Sequence, residues 1–131
     1  MSDEYENEET PDQVAARLWS SLETATGSER AEILLELGRL ANSRDDYVAA
    51  LSFADSALEA ATEVSSEALV GAAHLARGAV LFNQEDYAGS AAEYMLAVEI
   101  FRSGTDLISL HWSLMNAADS YECDGELDEA L

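Results

Sequence analysis

The chain is acidic, polar and without period through Glu9, and then its pattern changes. Thr10-Pro11-Asp12-Gln13 sets a threonine N-cap, a proline in the first helical position and a glutamine three residues after the cap. Val14, Ala15, Leu18, Trp19 and Leu22 follow at helical spacing. This predicts an amphipathic helix over 11–26 that Gly27 ends as a C-cap. Ser28 caps a second helix, Glu29 to Asn42. Ser43 to Asp46 form a short turn, and Asp45 or Asp46 caps a third helix running to Val64. Ser65 or Ser66 opens a fourth, to Phe82, and Glu85 or Asp86 a fifth, to Ser103. Gly104 and Thr105 separate these from a sixth, Asp106 to Glu122. Gly125 is expected to break that helix, with Glu126 to Leu131 as the first turn of a seventh. Connections this short predict antiparallel neighbours. Residues 1–10 are expected to form an acidic disordered tail, and 11–131 a helical domain.

Shifting the chain by 40 residues superimposes its landmarks. Gly38 falls on Gly78 and then Ala118, and Ala41 on Leu81 and then Tyr121. Asp46-Tyr47 falls on Asp86-Tyr87, Ala50 on Ser90 and then Ala130, and Ala57-Leu58 on Ala97-Val98. The small residues belong where two helices cross closely, with larger ones such as Tyr47, Leu58, Tyr87 and Phe101 filling the space beside them.

These positions resemble the tetratricopeptide repeat, whose first helix reads W-x2-L-G-x2-Y and whose second carries A-x3-F. The first unit has Leu34-x2-Leu37-Gly38-x2-Ala41, then Ala50-x3-Ala54 and Ala57. The second has His74-x2-Arg77-Gly78-x2-Leu81, then Ser90-x3-Tyr94 and Ala97. The third has Leu114-x2-Ala117-Ala118-x2-Tyr121, then Ala130. The resemblance covers Ala31 to Leu131. It departs from the family in its longer period and in lacking the consensus tryptophan and proline, as in long-helix variants. It implies an all-α fold of antiparallel hairpins stacked as a right-handed α-solenoid. A capping helix at 11–26 would be followed by repeats at 28–64, 66–104 and an incomplete 106–131. Leu131 falls where another helix would begin, which leaves open a fragment of a longer repeat protein or a closing sixth helix.

Charge narrows the partners. Asp and Glu number 27 against six basic residues, all arginine, for a net charge of −21. Phosphate binding needs clustered Lys and Arg, so nucleic acid is excluded as a direct ligand, and so is an anionic membrane. A basic partner is favoured. One cysteine, Cys123, gives no internal disulfide, and there is no signal segment or apolar span, so a cytoplasmic location is expected.

Candidate chemistry is thin. His74 stands where the neighbouring units have leucine, which points to packing. His111, Asp119 and Cys123 share a helix, but 12 residues span about 18 Å, too far for one ion. The acidic neighbours of Cys123, Glu122 and Asp124, disfavour a thiolate. No acid–base pair or phosphate loop stands out. The reading is of a non-enzyme with neither metal nor cofactor.

In the family the first helices line a concave groove. The corresponding columns here are Glu32, Leu35, Arg39, Asn42; Ala72, Leu75, Ala79, Phe82; and Trp112, Met115, Asp119, Glu122, each on one helix face. Asn83 and Asn116 flank them. The expected function is a scaffold that binds a peptide or helix of a partner protein, with apolar and basic residues. The residues expected to touch it are Arg39, Asn42, Leu75, Phe82, Asn83, Trp112, Met115, Asn116, Asp119 and Glu122. Two other readings stand beside it: an acidic mimic of nucleic acid that blocks a DNA- or RNA-binding protein, and a regulatory or oligomerisation segment of a larger protein. Self-association through the open end of the stack is a further expectation.

Overall fold

The computed structural model describes residues 8–130, with side chains to Gly125. Among these it contains six helices and no strand: α1 (Pro11–Leu22), α2 (Gly27–Ser43), α3 (Tyr47–Glu63), α4 (Glu67–Asn83), α5 (Tyr87–Arg102) and α6 (Leu107–Ala130). Most of the expected acidic tail, residues 1–7, and Leu131 lie outside the described residues. Each helix packs on the next, and α2 packs also on α4. No helix among the described residues is long and apolar enough to cross a membrane.

The start of α1 follows from its first three residues. Gln13 N–H donates to Thr10 Oγ1 at 3.2 Å and Thr10 N–H to Gln13 Oε1 at 2.8 Å, a reciprocal capping box behind Pro11. The helix stops at Leu22, earlier than expected, because Ala25 turns inward to join Leu18, Ile33 and Leu37. Gly27, at φ +61°, is not the C-cap of α1 but opens α2, with Thr26 and not Ser28 before it.

The next three connections are one structure repeated every 20 residues. Asp45, Ser65 and Glu85 adopt left-handed φ values of 62°, 54° and 64°. Behind them Asp46, Ser66 and Asp86 donate their N–H groups to the carbonyls of Ala41, Ala61 and Leu81, at 2.9, 3.1 and 2.9 Å. These are Schellman-type closures with an ordinary residue in the place that glycine usually takes. The side chains of Asp46, Ser66 and Asp86 then cap the following helix by accepting from the N–H groups of Ala49, Leu69 and Gly89. Each linker thus ends one helix and starts the next within three residues, which keeps α2 to α5 close to equal length.

Side-chain size sets the crossings. In the hairpin α4–α5, a Cβ at Gly71 would lie 2.5 Å from the Phe101 ring, and one at Gly78 would lie 2.7 Å from the Tyr94 ring. In α2–α3 the residues 40 earlier than these aromatics are Ala61 and Ala54, and Ala31 stands in the place of Gly71. There a Cβ on Gly38 would meet Phe53 Cβ at 3.3 Å. The first hairpin is filled by alanine against alanine and the second by an aromatic ring against bare backbone.

One expectation fails at the far end. Gly125 does not break α6, which continues to Ala130. Glycine inside a helix costs only about 1 kcal/mol relative to alanine and does not compel a turn. Ala118, aligned with Gly38 and Gly78, is therefore exposed and not pressed against a hairpin partner.

Glycine at Ser65 or Glu85 should relieve the left-handed strain, offset by the added freedom of the unfolded chain. Ser65→Gly and Glu85→Gly should each gain about 0.5–1 kcal/mol in denaturant unfolding. Asp45→Gly should gain less, since aspartate tolerates this region and Asp45 Oδ1 accepts from the Tyr47 hydroxyl at 3.0 Å. A second series tests the crossings. Gly71→Ala and Gly78→Ala should cost about 1–3 kcal/mol by overpacking against a ring. Gly38→Ala should lie within about 1 kcal/mol of wild type, because helix propensity offsets a milder contact.

Candidate functional site

The 40-residue spacing puts Leu35 and Arg39 on α2 level with Leu75 and Ala79 on α4, with Asn42 and Ala72 further along the same two helices. Because α2 and α4 touch, these six residues line one groove, with Glu36, Gly38, Ala50, Ala76 and Val80. The groove encloses about 370 Å³. Its floor is apolar and made mainly of small side chains, and this smallness creates the depth. Ala50 of α3, itself buried, reaches the lining beside Gly38, where an added Cβ would meet the Ala50 carbonyl at 3.5 Å.

The polar groups stand on the α2 side. Arg39 Nη2 lies 2.8 Å from Glu36 Oε2, and this hydrogen bond, with the charge of Glu36, holds the guanidinium above its ordinary pKa. Both side chains are exposed, so the pair contributes little to stability. Its role is to place a carboxylate and a guanidinium side by side on the rim. At one end Asn83 Nδ2 donates to Asn42 Oδ1 at 3.0 Å, joining the C-terminal ends of α2 and α4. This bond uses one donor and one acceptor, so the Asn42 NH2 group and the Asn83 carbonyl retain capacity for an extended backbone.

The other expected contact residues lie elsewhere. Phe82 is half-buried with its ring 5.1 Å from that of Tyr87, beyond the groove lining. Trp112 and Met115 are exposed on α6, as are Asp119 and Glu122. Asn116 is half-buried, and its carbonyl accepts from Ser120 Oγ at 2.9 Å. Glu36, Ala76 and Val80 were not anticipated in the groove. Glu36 was legible as the acid three residues before Arg39, whereas Ala76 and Val80 required the angle between α2 and α4. A second depression, about 440 Å³, lies over α1 to α3, where the Trp19 ring stacks edge-on against Phe53 at 5.5 Å. Its rim holds Arg44, paired with Asp12 at 2.6 Å, and Asp46.

A polar cluster distinguishes the second hairpin from the first. His74 Nδ1–H donates to Glu93 Oε2 at 2.8 Å, and both side chains are mostly buried. Arg77 reaches the same carboxylate at 3.6 Å and Asp55 of α3 at 3.3 Å. The Arg77 Nε is buried without a hydrogen bond of good geometry. Forty residues earlier the pair His74–Glu93 is Leu34 and Phe53, which pack in an apolar cluster. Deeper still, Ser90 Oγ donates to the Gly78 carbonyl at 2.9 Å and lies 3.0 Å from Ser120 Oγ, tying α4, α5 and α6 together. Neither group faces the groove, and their arrangement serves packing.

Comparison with protein-family models, with curated proteins and with solved structures finds no match to this chain.

The exchange of a hydrogen-bonded polar pair for an apolar pair at one position gives a direct test. His74→Leu or Glu93→Phe alone should destabilise by about 2–3 kcal/mol, since each strands a buried polar partner. The double variant His74→Leu/Glu93→Phe should lose less than the two single losses summed, and adding Arg77→Leu, which completes the copy of Leu34, Leu37 and Phe53, should return to within about 1 kcal/mol of wild type. A double-mutant cycle by urea unfolding measures the coupling.

Proposed function

We propose that this chain is a tetratricopeptide-like, right-handed helical stack that holds a segment of a partner protein in the α2–α4 groove. The observation that carries the proposal is the convergence of Leu35, Arg39, Asn42, Ala72, Leu75 and Ala79, from the first helices of consecutive 40-residue units, on one apolar depression with a polar rim. An apolar concavity with a few placed polar groups is the usual form of a recognition site. The partner segment carries one or two medium-sized apolar side chains for the floor and basic residues for an acidic surface of net charge −21. Glu36 is the nearest carboxylate to receive such a cation, and Asn42 and Asn83 hold its backbone. Trp112 and Met115 extend the contact along α6, and Asp119 and Glu122 attract basic residues there. The protein works in the cytoplasm and performs no chemistry on its partner.

The test is selection of short peptides from a random library on immobilised protein. Selected peptides should be enriched in Leu or Met beside Lys or Arg. Ala79→Trp, which fills the groove, and Leu75→Glu, which charges its floor, should each reduce binding by at least ~tenfold without changing the far-UV circular dichroism. Trp112→Ala should cost ~2 kcal/mol if Trp112 is a central anchor. The net charge also favours a second reading, the mimic of nucleic acid. Groove binding should survive moderate salt. Binding that vanishes as salt screens the charge, and ignores Ala79→Trp, would replace the groove with the mimic.

A further inference from the structure

Each first helix of a hairpin has two working faces, and the 40-residue spacing lets them be compared. One face meets the preceding helix. Ile33 and Leu37 of α2 pack with Leu18 of α1, and Ala73 of α4 packs with Ala57, Ala60 and Ala61 of α3. The matching residues of α6, Ser113 and Ala117, are buried, and Ser120 bonds Ser90 of α5. The other face meets the following helix. Gly38 of α2 faces Phe53, Ala50 and Ala54 of α3. On α4, Gly71 and Gly78 face Phe101 and Tyr94, and His74 bonds Glu93. The matching residues of α6 are His111, Leu114 and Ala118, and all three are exposed, Leu114 by 46%. Beside them stand Ile108 at 72%, Trp112 at 54% and Tyr121 at 57%. A helical face with the residue sizes of a hairpin crossing, small Ala118 beside Leu114, is left uncovered by the described residues.

We propose that this face of α6 receives an amphipathic helix from another protein, lying on it as α3 lies on α2. A helix is specified over an extended strand because 111, 114 and 118 repeat the spacing of 31, 34 and 38, which α3 covers. Charge specifies the chemistry of the occupant. No Lys or Arg occurs after Arg102, and the far half of α6 carries Asp119, Glu122 and Asp124. The occupant therefore presents apolar residues at helical spacing to Leu114 and Ala118. In the antiparallel orientation its N-terminal end lies beside those acids, and this is the end that the proposal requires to carry lysines or arginines. Its positive dipole end falls in the same place. A second copy of this chain is disfavoured on the same ground, since it would bring −21 against −21. The lining of this face, His111, Leu114 and Ala118, lies outside the α2–α4 groove, although Trp112, Asp119 and Glu122 stand beside both proposed contacts.

The probe is a labelled synthetic peptide of residues 46–64, which spans α3. In one version its exposed positions are made basic (Val48→Lys, Ser52→Lys, Asp55→Lys, Glu59→Lys). In the other they are acidic (Val48→Glu, Ser52→Glu, Asp55→Glu, with Glu59 kept). Fluorescence anisotropy against the full chain should show the basic peptide binding at least ~tenfold more tightly. Circular dichroism should show it gaining helix. Leu114→Glu should weaken it by about tenfold or more, and Ala118→Leu, which adds bulk without charge, should do the same. Leu75→Glu, in the groove, should leave it unchanged. Equal affinity for the two peptides would overturn the proposal, as would no binding of either. So would loss of binding with Leu75→Glu in place of Leu114→Glu, or binding without gain of helix. A dimer in sedimentation equilibrium that Leu114→Glu dissociates would assign the face to a second copy instead.

Discussion

The close approach of α4 to α5 is the constraint on which the second half of the structure rests. Two aromatic rings, Phe101 and Tyr94, lie directly on the backbone at Gly71 and Gly78, where a single added carbon would come within 2.5 and 2.7 Å. Phe101 and Tyr94 are buried only because those glycines make room, and burial of each ring contributes roughly 1.5–3 kcal/mol. Ser90 reaches the Gly78 carbonyl at the same crossing and hands its contact on to Ser120. The placement of α6 therefore depends on an absence of side chain one hairpin away.

The two hairpins solve the same geometric problem with different material. Alanine against alanine, with Leu34 packed near Phe53, builds the first. Ring against glycine, with His74 paired to Glu93, builds the second. A buried polar pair seldom adds net stability over an apolar pair of like volume, but each member strongly needs the other as its hydrogen-bond partner. Pairing His74 with Glu93 also orients that carboxylate toward Arg77, which in turn reaches Asp55 of the preceding hairpin. The polar cluster links hairpins as well as the two helices within one.

The groove and the bare face of α6 come from one rule of construction, in which every first helix must turn a small-residue face to a neighbour. Where two first helices meet, as α2 and α4 do, the alanines and Gly38 leave a depression between them. Where α6 stands at the edge, the same kind of face is left open. Acidic charge spread over the molecule gives both surfaces the same electrostatic preference without shaping either.

Much was legible in the sequence because it rests on interactions a few residues long. Thr10-Pro11-Asp12-Gln13 writes the start of α1, and Asp46, Ser66 and Asp86 write their helix starts through their own side chains. The 40-residue return of glycine, Asp-Tyr and alanine located the hairpins and put Leu35 and Arg39 in register with Leu75 and Ala79. The left-handed turns at Asp45, Ser65 and Glu85 escaped notice because glycine is the usual marker and none is present. Gly125 misled for the converse reason, being a glycine that the helix simply absorbs. Tertiary structure alone decided which neighbours share a groove. Ala76 and Val80 enter it, Phe82 turns to Tyr87, and Ala118 stays uncovered. Those outcomes depend on which side chain another helix brings to the same place, a ring, an alanine or nothing. That information lies on another helix and becomes local only when the helices pack.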